Sequence, residues 1–296
     1  MSSVFEIAAR VLRRHWAVLL AVSVLVGLPS ALLGTAASIP IGEALVDILP
    51  EAGSTAPVTI TDAQVRTLGD ALLVATAGWL IAGMLAGIAA VGFAWVVQRD
   101  YHGQPVTFGD TLSRSIGRAL TALGASLLAA LATAGLLVLG ALGALVCLSA
   151  LGPVGAAGGG LGPFLAILVG VVAFLAVTVL GVRWALAIPI VAIEPVGPLA
   201  ALRRSWHLTG GAAWRTFFAL LLTLLVTGIL GALVTQLLAI VIVDMIAEPA
   251  GMPLVGEVVV STFSTVLFAP VSTVILTVYL FDQMVRRDGW DLPVAG

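Results

Sequence analysis

The chain alternates between long apolar stretches and short polar segments along its whole length. Six of the stretches are long enough for a transmembrane helix, which needs about 20 predominantly apolar residues. They are Trp16–Ile41, Ala71–Val97, Ala119–Ala150, Pro163–Ile193, Thr216–Val243 and Val258–Phe281. The pattern predicts an all-α fold, a polytopic integral membrane protein with six transmembrane helices. The first stretch is longer than the apolar region of a signal peptide, so we expect it to be retained as a span.

The composition favours this class of protein and argues against several others. Hydrophobic residues make up 60 % of the chain and charged residues only 9 %, against roughly 25 % charged residues in a soluble domain. The chain has no lysine, which excludes Schiff-base chemistry, and its net charge of −2 gives no global basic field for nucleic acid. We expect residues 1–296 to form a single membrane domain.

The arginines are concentrated in alternate gaps between the apolar stretches. Eleven of them fall on one side of the membrane if the N-terminus is inside, whereas Arg66 falls on the other side and Arg183 lies within the fourth stretch. The eleven are Arg10, Arg13, Arg14, Arg99, Arg114, Arg118, Arg203, Arg204, Arg215, Arg286 and Arg287. Basic residues are enriched in cytoplasmic loops. The distribution therefore predicts the cytoplasmic (inner) cell membrane, with both termini inside.

The inner segments before the odd-numbered spans look alike. Each combines arginine with apolar residues: Phe5–Trp16, Phe108–Arg118 and Pro198–Trp206. In the third segment, Leu199, Leu202 and Trp206 share one helical face, and Arg203, Arg204 and His207 lie on the other side, as in an interfacial amphipathic helix. The similarity predicts three helix-plus-hairpin repeats, over residues 1–98, 99–193 and 194–296. Convergent interfacial chemistry is the alternative origin of the likeness.

The outer loops carry their own signals. Gly53–Pro57 is predicted to be an irregular loop, and Gly152–Gly162 a Gly-rich hairpin. Thr61 and Gln64 have the spacing of a capping box that starts the second span.

Arg183 is the least expected charge, because a charged residue at mid-membrane is costly and needs a partner or water. One interpretation is that it binds an anionic headgroup or substrate in a cavity that opens inward. The other is that the fourth span ends near Val182 and that Arg183 lies at the inner interface. In that case Ala185–Ile193 would be a shallow or re-entrant segment broken at Pro189.

Arg203 and Arg204 are further candidates for contact with an anionic ligand or headgroup. Glu194 is a candidate latch, because it can pair with Arg183, Arg203 or Arg204 and hold the inner helix; the alternative is a solvated carboxylate. His15, His102 and His207 have no spacing that brings two of them together, so we expect no metal site.

Prolines and glycines within the spans suggest where helices bend or approach each other. Pro29, Pro189 and Pro270 interrupt apolar stretches and are candidate kinks, either as hinges of a broken-helix site or as ordinary membrane kinks. Gly83 and Gly87 form a GxxxG pair that predicts close helix packing. This packing is expected within the chain, with homodimerisation as the alternative.

Three segments resemble a known family. The stretch Glu194–Gly211 followed by Trp214-Arg215, the closing stretch Tyr279–Leu292, and the opening Phe5–Trp16 are similar to the membrane-domain family of glycerophosphoryl diester phosphodiesterase. The resemblance implies the membrane fold. It does not imply phosphodiesterase activity, because the founding members carry a separate soluble catalytic barrel and this chain has no such barrel.

No catalytic, cofactor-binding or nucleotide-binding motif is present in the sequence. We therefore expect a protein that is not an enzyme: a permease-like or scaffold subunit of a membrane complex, in contact with membrane lipids and with a protein partner such as an ATPase. The alternative is a lipid or small-molecule transporter that acts on its own. The oligomeric state stays open.

Overall fold

The computed structural model describes residues 2–48, 61–150, 161–247 and 252–289. The predicted loop Gly53–Pro57 and most of the predicted hairpin Gly152–Gly162 lie outside these residues. The regular structure within them is helical. The helices are α1 (Ser2–Val22), α2 (Leu28–Ile48), α3 (Asp62–Tyr101), α4 (Phe108–Gly117), α5 (Ala119–Ala150), α6 (Leu161–Trp184), α7 (Ala187–Ile193), α8 (Pro198–Thr209), α9 (Ala213–Leu238) and α10 (Pro253–Asp288). A π-helical turn at Ser23–Gly27 joins α1 to α2, and a second at Ala239–Ala247 extends α9.

Six helical segments are long and apolar enough to cross a membrane, which confirms the predicted fold class. They are Val4–Asp47, Arg66–Tyr101, Ala119–Cys147, Phe164–Ile193, Ala213–Val243 and Val255–Arg287. The first span is longer than predicted because the opening amphipathic segment runs directly into it. Only a kink at His15 (φ −116°, ψ 18°) separates the two parts.

Consecutive spans pack as hairpins: α2 against α3, α5 against α6, and α9 against α10. Thr61 and Gln64 form the predicted capping box at the start of α3. Gln64 also donates from Nε2 to the carbonyl of Asp47 at 2.8 Å, which ties the beginning of α3 to the end of α2.

The core lies toward one end of the bundle, which we call the arginine-rich end because Arg14, Arg99, Arg204 and Arg287 lie there. Its largest fully buried side chains include Phe93, Leu186, Tyr279, Phe281 and Met284. The spans share this core unequally. In the most apolar window of each span, half of the residues of the second span are buried. The buried share is only 6 % in the third span and 11 % in the fourth and in the fifth. The third, fourth and fifth spans therefore leave most of their surface to the surroundings.

Small residues bring neighbouring helices close together, but not through the predicted pair. A Cβ at Gly87 would lie 2.8 Å from Ser126 Oγ of α5, so Gly87 packs closely as predicted. A Cβ at Gly83 would meet no described atom of another helix within 4 Å, so Gly83 makes no close helix contact within the described chain, and its packing against a second copy stays a prediction. Gly78 approaches Ala37 of α2 instead, and Gly140 approaches Ala173 of α6.

The three candidate kinks differ in what they do to the backbone. Pro29 lies in the first turn of α2, directly after the π-helical turn. Pro270 lies inside α10, which continues through it. A proline leaves the carbonyl four residues earlier without its helical partner. For Pro270 that carbonyl belongs to Val266, and it accepts a hydrogen bond from Ser23 Oγ at 2.5 Å.

Candidate functional site

The fourth span breaks close to Arg183. α6 ends at Trp184 and α7 begins at Ala187, so the interruption is at Ala185–Leu186 and not at Pro189 as predicted. Pro189 lies in the first turn of α7, where an N–H has no helical partner in any case. Ser205 Oγ of α8 donates to the carbonyl of Arg183 at 2.7 Å. The freed backbone at the end of α6 is therefore satisfied by α8.

The segment after Arg183 forms the short helix α7, which is buried among other helices, and its depth in the membrane stays a prediction. Leu186 and most residues of α7, including Ile190, Val191 and Ala192, lie in the core. The short helix packs against α3, α5, α8 and α10. Its apolar sequence reflects burial among other helices, which a hydropathy profile does not distinguish from burial in lipid.

The guanidinium of Arg183 lies over the indole ring of Trp206, with 5.0 Å between Cζ and the ring centroid. Its Nε and Nη1 atoms are buried and make no hydrogen bond within the described residues. A buried donor without a partner is costly. Arg183 therefore combines a cation with unused donors, which is the chemistry that its predicted role as an anion ligand requires.

Glu194 pairs with Arg204, one of the three partners that the sequence suggested. The Nε of Arg204 donates to Glu194 Oε1 at 3.3 Å, and both side chains are partly buried. Arg203 is exposed. Residues 204 and 206 are roughly 200° apart around a helix, so Arg204 and the Arg183–Trp206 pair lie on different sides of α8. The three candidate arginines do not form one site.

The faces of α8 also differ in part from the predicted pattern. Leu202 is buried in the core, whereas Leu199 and Trp206 are 51 % and 45 % exposed. The buried face consists of Ala201, Leu202, Ser205, Leu208 and Thr209. The exposed apolar residues lie beside the exposed Arg203, at the edge of the bundle.

A cleft whose mostly apolar lining carries several hydroxyl groups and carboxylates lies at the opposite end of the bundle, between α2, α3 and α10. It consists of an outer cavity of about 640 Å³ and a deeper one of about 460 Å³, which share Thr35, Ser38 and Ser261. Glu43, Asp47 and Glu257 line the outer cavity. Ser30, Gly83 and Thr265 line the deeper one. Gly83 therefore opens space in the cleft instead of closing a helix contact.

The deep end of the cleft adjoins the π-helical turn of the first span and the turn of α10 that precedes Pro270. Ser30 donates to the carbonyl of Ala82 at 2.7 Å, and it lies next to Pro29. Thr265 precedes Val266, whose carbonyl binds Ser23 in the π-helical turn. The cleft thus reaches the level of the π-helical turn in the first span and of the carbonyl that Pro270 frees in the sixth.

Sequence reasoning missed this cleft, although it left a signal. Ser30, Gly34 and Ser38 recur every four residues along α2, and Ser261 and Thr265 have the same spacing on α10. Residues four apart share a helical face. Each span therefore carries a stripe of small and hydroxyl-bearing residues that faces the cleft.

In the part of the chain that the structure describes, no group of three or more His, Cys, Asp or Glu residues could hold a metal ion.

Residues 163–291 match the family model described as the membrane domain of glycerophosphoryl diester phosphodiesterase. The match confirms the predicted resemblance over the fourth, fifth and sixth spans, and it includes Arg183, Glu194 and α8. Helices α2 and α3, which form most of the cleft, lie outside it. No curated protein and no solved structure matches the chain.

Proposed function

We propose that this chain is a non-enzymatic, permease-like subunit of a membrane complex that admits a polar solute through the cleft between α2, α3 and α10. The cleft is the observation that carries the proposal. Ser38, Ser261 and Thr265 each donate to a carbonyl of their own helix. Their hydroxyl oxygens can still accept a hydrogen bond from a polar ligand. Here Thr35, Ser38 and Ser261 line a cavity wide enough for a small molecule.

The lining indicates the class of solute. Glu43, Asp47 and Glu257 are exposed around the outer cavity. Several negatively charged carboxylates at the mouth of a cleft raise the local concentration of cations. The hydroxyl oxygens deeper in the cleft can accept hydrogen bonds from a polar ligand. The proposed solute is therefore a cationic or neutral polar molecule.

In the proposed orientation, both termini and the arginine-rich end face the cytoplasm of the inner membrane, and the cleft opens to the outside. The distribution of arginines supports this orientation. The exposed Leu199 and Trp206, beside Arg203, give α8 the character of an interfacial amphipathic helix. Because the sequence contains no nucleotide-binding motif, a partner such as an ATPase supplies energy if transport is active.

A second candidate is a transporter that needs no partner. It is favoured by the π-helical turn and the prolines at the base of the cleft, since irregular helices line the substrate sites of many secondary transporters. The first span has a π-helical turn followed by Pro29, and the sixth span contains Pro270. These are the two spans that would move relative to each other if the cleft opened at its closed end.

Cysteine accessibility tests the cleft and its orientation together. Cys147 is the only native cysteine, so Cys147→Ser gives a cysteine-free background. In it, Ser38→Cys and Ser261→Cys should react with a membrane-impermeant thiol reagent added outside intact cells. Phe263→Cys is the matched control, because Phe263 is exposed on another face of α10 among apolar residues. Equal labelling of Ser261→Cys and Phe263→Cys would reject the cleft.

Gentle purification separates the two functional candidates. A stoichiometric protein partner that is lost in the double variant Arg203→Glu, Arg204→Glu supports the subunit. Solute uptake by proteoliposomes that contain this chain alone supports the independent transporter. If neither a partner nor uptake is found, both candidates fail, whatever the labelling of the cleft.

A further inference from the structure

A basic pocket lies at the arginine-rich end, where the second span ends and the third begins. Its volume is about 300 Å³, and its walls come from the end of α3 and from α4. Its lining includes Trp95, Arg99, Asp110, Ser113, Arg114 and Arg118. Three guanidinium groups thus share the pocket with one carboxylate, which leaves it a net positive charge.

The indole of Trp95 organises two of these arginines. The Cζ atoms of Arg114 and Arg99 lie 4.5 Å and 5.3 Å from its ring centroid. Arg114 donates from Nε and Nη2 to the carbonyl of Ala192 at 3.3 Å and 2.9 Å. Because Ala192 belongs to the buried helix α7, one edge of the guanidinium is fixed to the core while the rest stays free for a ligand.

Arg99 is also held in place without using all of its donors. Its Nη1 donates to Gln104 Oε1 at 2.6 Å, and its Nη2 contacts Asp110 Oδ2 at 3.4 Å. Its Nε, like the Nε1 of Trp95, is buried and has no hydrogen-bond partner among the described residues. Buried N–H groups are almost always paired in folded proteins. Two residues that line the pocket thus carry unpaired donors, which an oxyanion bound there could satisfy if it brings its oxygens within reach.

The charges in the pocket repel one another. Burial lowers the pKa of the Arg114 guanidinium, and the positive charge of Arg118 lowers it further. Arg118 caps the C-terminal end of α4 and is partly buried, and it makes no ion pair within the described residues. An anion between these two arginines would relieve the repulsion.

We propose that this pocket binds a phosphate group, carried either by an anionic phospholipid or by a small soluble ligand. A phosphate offers several acceptor oxygens and one or two negative charges, which match the three guanidinium groups that line the pocket. Ile116 and Leu120 beside the pocket are 62 % and 85 % exposed, so acyl chains of a bound lipid would have an apolar surface to contact. The pocket shares no residue with the cleft, so it stands or falls independently of the proposed transport function.

Native mass spectrometry of the full chain, purified in a phosphate-free detergent and stripped of lipid, tests the proposal. The ligands are phosphatidylglycerol, diacylglycerol with the same acyl chains, and inorganic phosphate. We expect phosphatidylglycerol to bind and diacylglycerol not to bind. Arg118→Gln should weaken that binding by about tenfold or more, as expected for one charge-assisted hydrogen bond. Binding of inorganic phosphate that is also weakened by Arg118→Gln would identify a soluble phosphate as a sufficient ligand.

Two control variants separate ligand contact from a general effect of charge and from a folding defect. Arg13→Gln removes an equal charge from an exposed position of α1 and should bind phosphatidylglycerol like the native chain. Arg118→Lys keeps the charge at the pocket and should retain most of the binding. The proposal is overturned if Arg118→Gln and Arg99→Gln both bind phosphatidylglycerol and phosphate as the native chain does. It is also overturned if diacylglycerol binds equally well.

Discussion

The hydrogen bond between Ser23 and Val266 offers a sharp test of how the spans hold together. Pro270 has no N–H, so the carbonyl of Val266 has lost its partner within α10. Ser23 Oγ, from the π-helical turn of the first span, donates to it at 2.5 Å, and both residues are buried. Ser23→Ala therefore leaves a carbonyl with no donor inside an apolar bundle.

The expected cost follows from that geometry. An unsatisfied buried acceptor costs about 1–3 kcal/mol, whereas hydrogen bonds between membrane helices average about 0.6 kcal/mol and reach about 1.7 kcal/mol. The average is low because other donors are usually within reach. Here the usual donor is missing, so we expect Ser23→Ala to destabilise the protein by about 1.5 kcal/mol.

A double-mutant cycle isolates the cause. In Pro270→Ala, the new backbone N–H can donate to the Val266 carbonyl, so adding Ser23→Ala should cost less than about 0.5 kcal/mol. The measurement is reversible unfolding in mixed micelles. Ser272→Ala is the control, because Ser272 Oγ bonds only within its own helix, to the carbonyl of Ala269 at 3.1 Å. An equal cost of Ser23→Ala in both backgrounds would refute the reasoning.

Three further predictions use the same unfolding measurement. Gly78→Ala places a methyl group against Ala37, which has no rotamer to yield, and should cost about 1–3 kcal/mol. The methyl group of Gly83→Ala meets open space in the cleft, so this variant should change stability by less than about 1 kcal/mol. Equal costs of Gly78→Ala and Gly83→Ala would contradict the close contact between Gly78 and Ala37. Tyr279→Phe removes a buried hydroxyl 3.0 Å from Thr216 Oγ1 and should cost about 1 kcal/mol, because Thr216 keeps its bond to the Ala212 carbonyl; a loss above about 3 kcal/mol would indicate another role. Glu194→Gln should cost only about 0.2–1 kcal/mol, since its pair with Arg204 is partly exposed. If the cost of the double variant Glu194→Gln, Arg204→Gln equals the sum of the two single costs, the pair contributes nothing to stability.

The sequence predicted those features that depend on local pattern. Six spans follow from apolar length, and the capping box at Thr61 follows from the spacing to Gln64. Hydropathy does not distinguish burial in lipid from burial among other helices. The helix α7 is as apolar as a lipid-facing segment, yet Ile190 and Val191 are fully buried among other helices.

The candidate site was harder to predict, because its parts are far apart in the chain. Thr35 and Ser261 share a cavity although 226 positions separate them. The basic pocket depends on Trp95. In the sequence, Trp95 lies near the end of an apolar span, where an aromatic residue is ordinarily taken as an interfacial one. Arg114 and Arg118 were counted for topology, and counting charges by side gives no information on which of them meet.

The helix α3 joins the two candidate sites. It contributes Gly83 to the cleft and Trp95 to the basic pocket, and twelve residues of helix separate these positions by roughly 18 Å. Between them, Gly92 packs against Ser115 of α4 so closely that a methyl group would not fit. Because of that contact, α4 cannot turn without moving against α3. A sliding of α3 that widens the cleft would therefore also move Trp95 relative to Arg114, whose guanidinium is bonded to α7. An anion held between Arg114 and Arg118 would therefore favour one position of α3 relative to α7, whether or not the cleft admits a solute.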